Sequence, residues 1–317
     1  MSVGDIVVQS EHLSESASKW LAERCRLVVC PHDAPDFHEA IAVASALVVR
    51  TYTRVDARLL DAAPRLRVVG RAGVGLDNID VEACRERGVQ VVHTPDANTQ
   101  AVVEYVVRLM GEALRPLAPV TRSTPLHEWT MLRDQGEAAR QMSGLTLGIL
   151  GMGRIGRRMA EVARAMRMSA MYNDLIEIPA EARFGAQPVS AEELFEQADV
   201  ISIHIDGRKN NRRFVGERLI PRMKSDAVLI NAARGMLIDS VALAAFMRAH
   251  PRAQAMLDVH EPEPFDDDYP LLGLPNVKLY PHLAARTREA LENMSWVVRD
   301  VVAALEGRQP QWPAPTT

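Results

Sequence analysis

At 317 residues, 47% of them hydrophobic and 25% charged, the chain is about two domains long and has apolar material for two cores. A formal net charge of −4, with acids and bases interspersed, offers no electrostatic footprint for nucleic acid or an anionic membrane. Three cysteines (Cys25, Cys30 and Cys84) are too few for a disulfide framework and wrongly spaced for zinc, and the nine histidines show no pairing at ligand spacing, so no metal is expected. No run approaches the ~18 apolar residues of a membrane helix, and the opening Met-Ser-Val-Gly-Asp-Ile has neither the basic nor the apolar region of a signal peptide. The expectation is a protein of the reducing cytoplasm.

Short β-rich runs, Ile6 to Val8, Leu27 to Cys30, Ala46 to Arg50, Leu66 to Gly70 and Val89 to His93, alternate with helical segments such as His38 to Ala44 and Val55 to Ala63. This alternation predicts a parallel sheet with helices on both faces. Proline interrupts it at Thr94-Pro95-Asp96, the expected boundary. Asn98 or Thr99 then caps a helix whose apolar positions, Val102, Val103, Val106, Val107, Met110, Ala113 and Leu114, recur at helical spacing. The less periodic stretch from Pro116 to Ser143 reads as an arm or interface. Six further strands follow at Thr146 to Leu150, Ser169 to Tyr172, Val200 to His204, Ala227 to Asn231, Ala255 to Val259 and Val277 to Tyr280. Glu289 to Leu305 reads as one amphipathic helix that cannot bury its apolar face alone and so returns to the first domain. The expected organisation is α/β with two doubly wound parallel-sheet domains: 1–94 with 287–317, and 95–286 inserted between them.

The strand Thr146 to Leu150 runs straight into Gly151-Met-Gly153-Arg154-Ile155-Gly156. In a dinucleotide fingerprint the first glycine makes the turn, the second lets backbone approach a pyrophosphate and the third lets the helix pack on the sheet. The helix N-terminus then holds the anion with free N–H groups and its dipole. Asp174 stands 18 residues beyond Gly156, at the end of the next apolar run. A carboxylate there accepts from the adenosine ribose and repels a 2′-phosphate, which predicts NAD over NADP. An ordinary strand-to-helix turn with a solvated acid fits the same residues.

Three later segments place polar residues just beyond predicted strands: Asn231-Ala-Ala-Arg-Gly235, Leu257-Asp-Val-His-Glu-Pro-Glu-Pro264 and Tyr280-Pro-His-Leu-Ala284. They bring together a guanidinium, carboxylates and an imidazole. A His bonded to a carboxylate is a tunable acid/base, and an Arg nearby can hold a carboxylate bidentately. By spacing alone His282 fits a capping or core histidine equally well. His260 points away from its neighbours in an extended segment and reads as a filler, and Asp266-Asp267-Asp268 reads as a solvated loop.

With Arg71-Ala-Gly-Val-Gly-Leu-Asp-Asn-Ile-Asp80 added, these motifs in this order resemble the D-isomer-specific 2-hydroxyacid dehydrogenases, the family of phosphoglycerate dehydrogenase and glyoxylate/hydroxypyruvate reductase, over nearly the whole chain. The resemblance implies a Rossmann NAD-binding domain inserted in a discontinuous flavodoxin-like substrate domain, and hydride transfer between nicotinamide and C2 of a small D-2-hydroxy or 2-oxo acid. It implies His282 as the acid/base, Glu263 as its orienting partner, and Arg234 as the anchor for the substrate carboxylate and carbonyl oxygen. The N–H groups of Val74 and Gly75 would bind that carboxylate, with Arg50 near the substrate. Gly151, Gly153, Arg154, Ile155, Gly156, Asp174, Ala232, Asp258 and His282 would line the cofactor, Asp258 at the nicotinamide end.

The chain departs from the pattern after Trp129, where Thr-Met-Leu stands in place of the basic residue usual in phosphoglycerate dehydrogenases, and in two further places. Ile205-Asp206-Gly207-Arg208 replaces the usual Thr-Pro and apolar residue, and Ala284 stands where Gly is common. A second reading of the same motifs is an NAD(H)-sensing binding protein, like the corepressors related to this family. The helix from about Thr99 to Leu114 and the stretch through Trp129 carry more apolar surface than one domain needs, which predicts a homodimer.

Overall fold

The computed structural model describes residues 4–117, 119–135 and 140–315, and it divides into two compact units, Met1–Asn98 with Ala285–Thr317 and Thr99–Ala284. The divisions lie a few residues from those expected at 94/95 and 286/287. The first moves to Thr99 because the helix beginning there buries Val102, Val103, Val106, Leu109 and Met110 with Leu147, Ile149 and Met159 of the second unit. The second moves to Ala284, whose N–H is held by Asp258 of that unit.

In the first unit β1 (Ile6–Gln9), α1 (Glu15–Ala22), β2 (Arg26–Val29), α2 (Phe37–Ala42), β3 (Ala46–Val49), α3 (Ala57–Asp61), β4 (Val68–Arg71), α4 (Val81–Glu86) and β5 (Gln90–His93) follow one another. The strands pair in parallel in the order β2-β1-β3-β4-β5, the flavodoxin-like winding. Helix starts are set by short polar side chains: Ser14, Asp56 and Asp80 accept the N–H groups of Ala17, Leu59 and Ala83.

The second unit opens with α5 (Thr99–Leu114) and α6 (Leu126–Gln135), then β6 (Thr146–Leu150), α7 (Arg154–Ala165), β7 (Ser169–Asn173), β8 (Gln187–Pro188), α8 (Ala191–Gln197), β9 (Val200–Ile203), β10 (Val228–Asn231), α9 (Ser240–Ala249), β11 (Gln254–Leu257) and β12 (Val277–Leu279). All seven strands are parallel in the order β12-β11-β10-β9-β6-β7-β8, the classic doubly wound arrangement with its reversal between β6 and β9. The added strand β8 is a two-residue edge with both residues exposed and a proline in it, too short and too polar to leave a periodic signal. The stretch expected as an irregular arm contains a helix, α6, none of whose described side chains is buried.

The chain returns to the first unit as two helices, α10 (Arg288–Ser295) and α11 (Val298–Leu305), where the sequence pattern predicts one. The reason is Ser295, fully buried, whose hydroxyl donates to Leu291 O at 2.7 Å and accepts the N–H of Ser14 at 2.9 Å. This back-bonding loosens the helix at that turn, and Val297 N and Asp300 N reach only three residues back, to Met294 O and Val297 O. α11 then lies on β4 because Gly70 has no side chain; a Cβ there would stand 2.4 Å from Val301.

Candidate active site in the second unit

Parallel strands put their carboxyl ends on one edge, and the glycine turn lies at the reversal between β6 and β9. Gly151 has φ +99°, and a Cβ on it would meet the His204 carbonyl carbon and the Ile205 nitrogen at 2.8 Å. A Cβ on Gly156 would stand 2.1 Å from Gly151 O, so α7 packs on the turn only with glycine there. Gly153, the N-cap of α7, faces open space on its missing side chain. Two glycines forced by packing and one that opens outward form a cradle that fits a pyrophosphate at a helix N-terminus. Arg154 and Ile155 are the first residues of that helix, Arg154 exposed and Ile155 partly buried.

Asp174 lies just past the end of β7. One carboxylate oxygen accepts Met152 N at 2.6 Å and the other Ile176 N at 3.1 Å, which ties the acid to the glycine turn and leaves each oxygen a lone pair for a hydroxyl. Across the turn, the departing segment makes its own cluster. Arg208 forks onto Asp206, and Asn211 donates to the same residue. These bonds hold the Asp206 carboxyl below its ordinary value.

Beyond β11 and β12 the expected pair has formed. His282 Nδ1 lies 2.9 Å from Glu263 Oε2, and Glu263 Oε1 accepts the N–H of His260 at 2.7 Å. Burial pushes the Glu263 carboxyl up, yet these bonds outweigh it and leave it below the usual value. The His282 side chain is 41% exposed and its Nε2 edge is not taken up by that pair. His260 is buried, with Nε2 2.8 Å from Tyr280 O and its ring against Phe265 and Tyr269. Asp258 is fully buried, and its carboxylate accepts Leu283 N and Ala284 N, both at 2.8 Å, and the Tyr105 hydroxyl at 2.9 Å. Burial is the larger influence on Asp258 and lifts its carboxyl despite those donors.

Asn231, the last residue of β10, folds the following loop around itself: its amide donates to Arg234 O at 2.9 Å and its carbonyl accepts Ala233 N at 3.0 Å. Arg234 is partly buried and donates to Ala233 O at 2.6 Å, with Ala232 partly buried beside the α7 face of the sheet. Gly235 passes so close to His260 that a Cβ would stand 2.0 Å from its backbone, which locks the arginine loop against the glutamate loop.

The first unit carries the remaining expected residues. Arg71 to Asp80 follows β4, and no acceptor among the described residues takes the N–H of Val74 or Gly75. Arg50 follows β3 in a loop organised by a residue that sequence reasoning missed, Glu11, whose carboxylate accepts the N–H groups of Arg50, Thr51, Tyr52 and Thr53 at 2.8–3.1 Å. Burial opposes its ionisation, but four N–H donors hold the Glu11 carboxyl below its ordinary value. Tyr105 was missed as well: it sits among the apolar positions of α5, and nothing in the spacing marks its hydroxyl. Among the described residues no cluster of three or more His, Cys, Asp or Glu could hold a metal ion, and no helix is long and apolar enough to cross a membrane.

Residues 107–284 match the model of the D-isomer specific 2-hydroxyacid dehydrogenase NAD binding domain. The chain is 37% identical over 264 residues to a D-3-phosphoglycerate dehydrogenase of Archaeoglobus fulgidus, covering 83% of this chain and 50% of that one, so it spans about half the length of such relatives. It is 36% identical over 306 residues to an (S)-sulfolactate dehydrogenase of Chromohalobacter salexigens, covering 95% and 97% of the two chains. Among solved structures, a glyoxylate reductase from Paecilomyes thermophila superposes with a TM-score of 0.86 at 29% identity, covering 99% of each chain.

Proposed function

The chain belongs to the D-isomer specific 2-hydroxyacid dehydrogenase family, with an NAD-binding domain at 107–284, and on that premise we propose that it is an oxidoreductase acting at C2 of a small D-2-hydroxy or 2-oxo acid. The observation that carries the reading is the His282–Glu263 pair at 2.9 Å on the strand-end edge that also bears the glycine cradle.

NAD(H), when bound, supplies or accepts the hydride. In the direction of reduction, imidazolium His282 delivers a proton from Nε2 to the substrate oxygen, and Glu263 at Nδ1 fixes the ring orientation and stabilises the charged form. Arg234 holds the substrate carboxylate and polarises the carbonyl; a guanidinium does both because its donors form a planar fork. In the first unit the N–H groups of Val74 and Gly75 offer an anion-binding nest of their own, and Arg50 is the cation of that unit assigned to substrate. Asp174 selects NAD by accepting the ribose hydroxyls. A homodimer built on α5 and α6 is part of the same reading, as is work in the cytoplasm.

The test is NADH oxidation against a panel of 2-oxo acids, with His282→Ala as the control. Turnover by the unmodified protein with loss in the variant is the expected result. Activity unchanged in the variant removes His282 from the mechanism, and NADH binding without turnover on any acid turns the reading towards an NAD(H)-sensing protein.

A further inference from the structure

Asp258 touches the loop that carries His282 at three successive residues. Its carbonyl accepts the N–H of His282 at 2.9 Å, and its two carboxylate oxygens accept those of Leu283 and Ala284 at 2.8 Å. The loop needs holding, because His282 has φ +56°, a left-handed conformation that a residue with a Cβ adopts at a cost. The clamp in turn needs an anchor. Asp258 is fully buried, and a buried carboxylate keeps its charge and its place only where donors converge on it. The third donor to that carboxylate comes from outside the loop: Tyr105 on α5, 153 residues away in sequence, gives its hydroxyl to Oδ1 at 2.9 Å. Its ring is set edge-on to Tyr280, with centroids 6.3 Å apart, so the hydroxyl has one direction in which to point. α5 is a 16-residue helix with eight buried residues, a rigid element to hang the clamp on.

We propose that Tyr105 is a positioning residue for His282, acting through Asp258: it ties the loop bearing the acid/base to the body of the domain. This rests on the reading of His282 as the proton donor given above. Tyr105 touches neither substrate nor cofactor in this scheme. Its effect is to keep the Asp258 carboxylate ionised and aimed at Leu283 and Ala284. The other titratable groups around the pair are His282 on the clamped loop, Tyr280 past the end of β12, and Arg108 and Glu112 on α5.

Tyr105→Phe deletes the hydroxyl and keeps the ring packed on Tyr280. Three readouts follow. Losing a hydrogen bond to a charged group should lower kcat about tenfold with little change in the KM for the 2-oxo acid. The acid limb of the kcat profile should move to higher pH, because the carboxylate has lost a donor that favours its charged form. The amides of Leu283 and Ala284 should exchange with solvent several-fold faster, while those of Ile149 and Leu150 in β6 keep their protection. A double variant with Asp258→Asn should show losses that do not add. The exchange measurement needs no turnover, so it tests the anchor even if the proposed reaction proves wrong. An unmoved acid limb with unchanged exchange at Leu283 and Ala284, additive losses in the double variant, or faster exchange throughout the domain would each overturn the proposal.

Discussion

His282 Nδ1 and Glu263 Oε2 stand 2.9 Å apart across 19 residues of chain, brought together because the loops after β11 and β12 leave neighbouring parallel strands at the same edge. The Glu263 carboxyl lies below its ordinary value of 4.5: burial raises it, and the His282 ring with the His260 N–H more than reverse that. A carboxylate with a lowered folded value contributes stability that is fully present above the unfolded value and lost as pH falls through the folded one. Glu263→Gln should therefore remove an acid-side component of stability, seen as a shallower fall of the urea midpoint below pH 4.5. In the proposed reaction it should cost about 10²-fold in kcat, within the range of general acid–base effects. A variant with unchanged kcat would show that the imidazole needs no orienting partner.

Cofactor choice should turn on Asp174. Its oxygens are already bonded to Met152 N and Ile176 N, so the carboxylate cannot swing away from an incoming 2′-phosphate. Like charges brought together in a partly desolvated site cost several kcal/mol, a factor of about 10² or more in affinity. NADH should bind far more tightly than NADPH, and Asp174→Ala should narrow the gap. Fluorescence titration with the two nucleotides checks this, and equal affinity in the unmodified protein would defeat it.

The C-terminal segment gives a prediction about stability within the first unit. Asp300 on α11 is 8% exposed and accepts both Gln311 N and Trp312 N at 2.9 Å. The segment so held then pairs with β5, through His93 N to Trp312 O and Ala314 N to Val91 O. Asp300→Ala leaves two N–H groups without their charged acceptor and should destabilise the protein by about 2–4 kcal/mol. Urea denaturation measures it; a loss within about 0.5 kcal/mol, the range of an ordinary surface substitution, would show that the segment is held by other contacts.

What could be read in the sequence follows from the length scale of each signal. The strand Thr146–Leu150 has the expected bounds because its apolar run ends at a glycine that only a turn explains, whereas β8 is two exposed residues with no pattern to read. The break between α10 and α11 escaped because it rests on a hydroxyl, Ser295, bonding one way to its own helix and the other way to Ser14, 281 residues distant. The candidate site divides likewise. Residues in contiguous motifs, such as Glu263 and His282, could be picked out, but Tyr105 acts through one long-range bond and Glu11 through four N–H groups about 40 residues away, from segments whose composition is that of an ordinary helix and loop. Helix periodicity reports which side chains are apolar. It carries nothing about a phenol that is mostly apolar and ends in one donor.

Assembly supplies the last prediction. Along α6 and the chain before it, Leu117, Val120, Leu126, Trp129, Met131 and Leu132 are 90%, 48%, 81%, 47%, 53% and 39% exposed, a concentration of large apolar side chains left open to solvent in whole or in part. Scattered exposed hydrophobics are normal on a monomer, but several on one helix and its lead-in are the kind of surface that another molecule covers. A second copy is the expected occupant, since isologous two-fold dimers are the commonest homo-oligomers, and such a contact needs on the order of 1,600 Å² of buried surface to be stable. Light scattering at micromolar concentration should therefore report about twice the 35.1 kDa chain mass, and Trp129→Asp with Leu132→Asp should shift the protein to monomer. The substituted residues lie on an exposed helix, so the fold itself should survive. An unmodified protein that stays monomeric across a wide concentration range would refute the assignment.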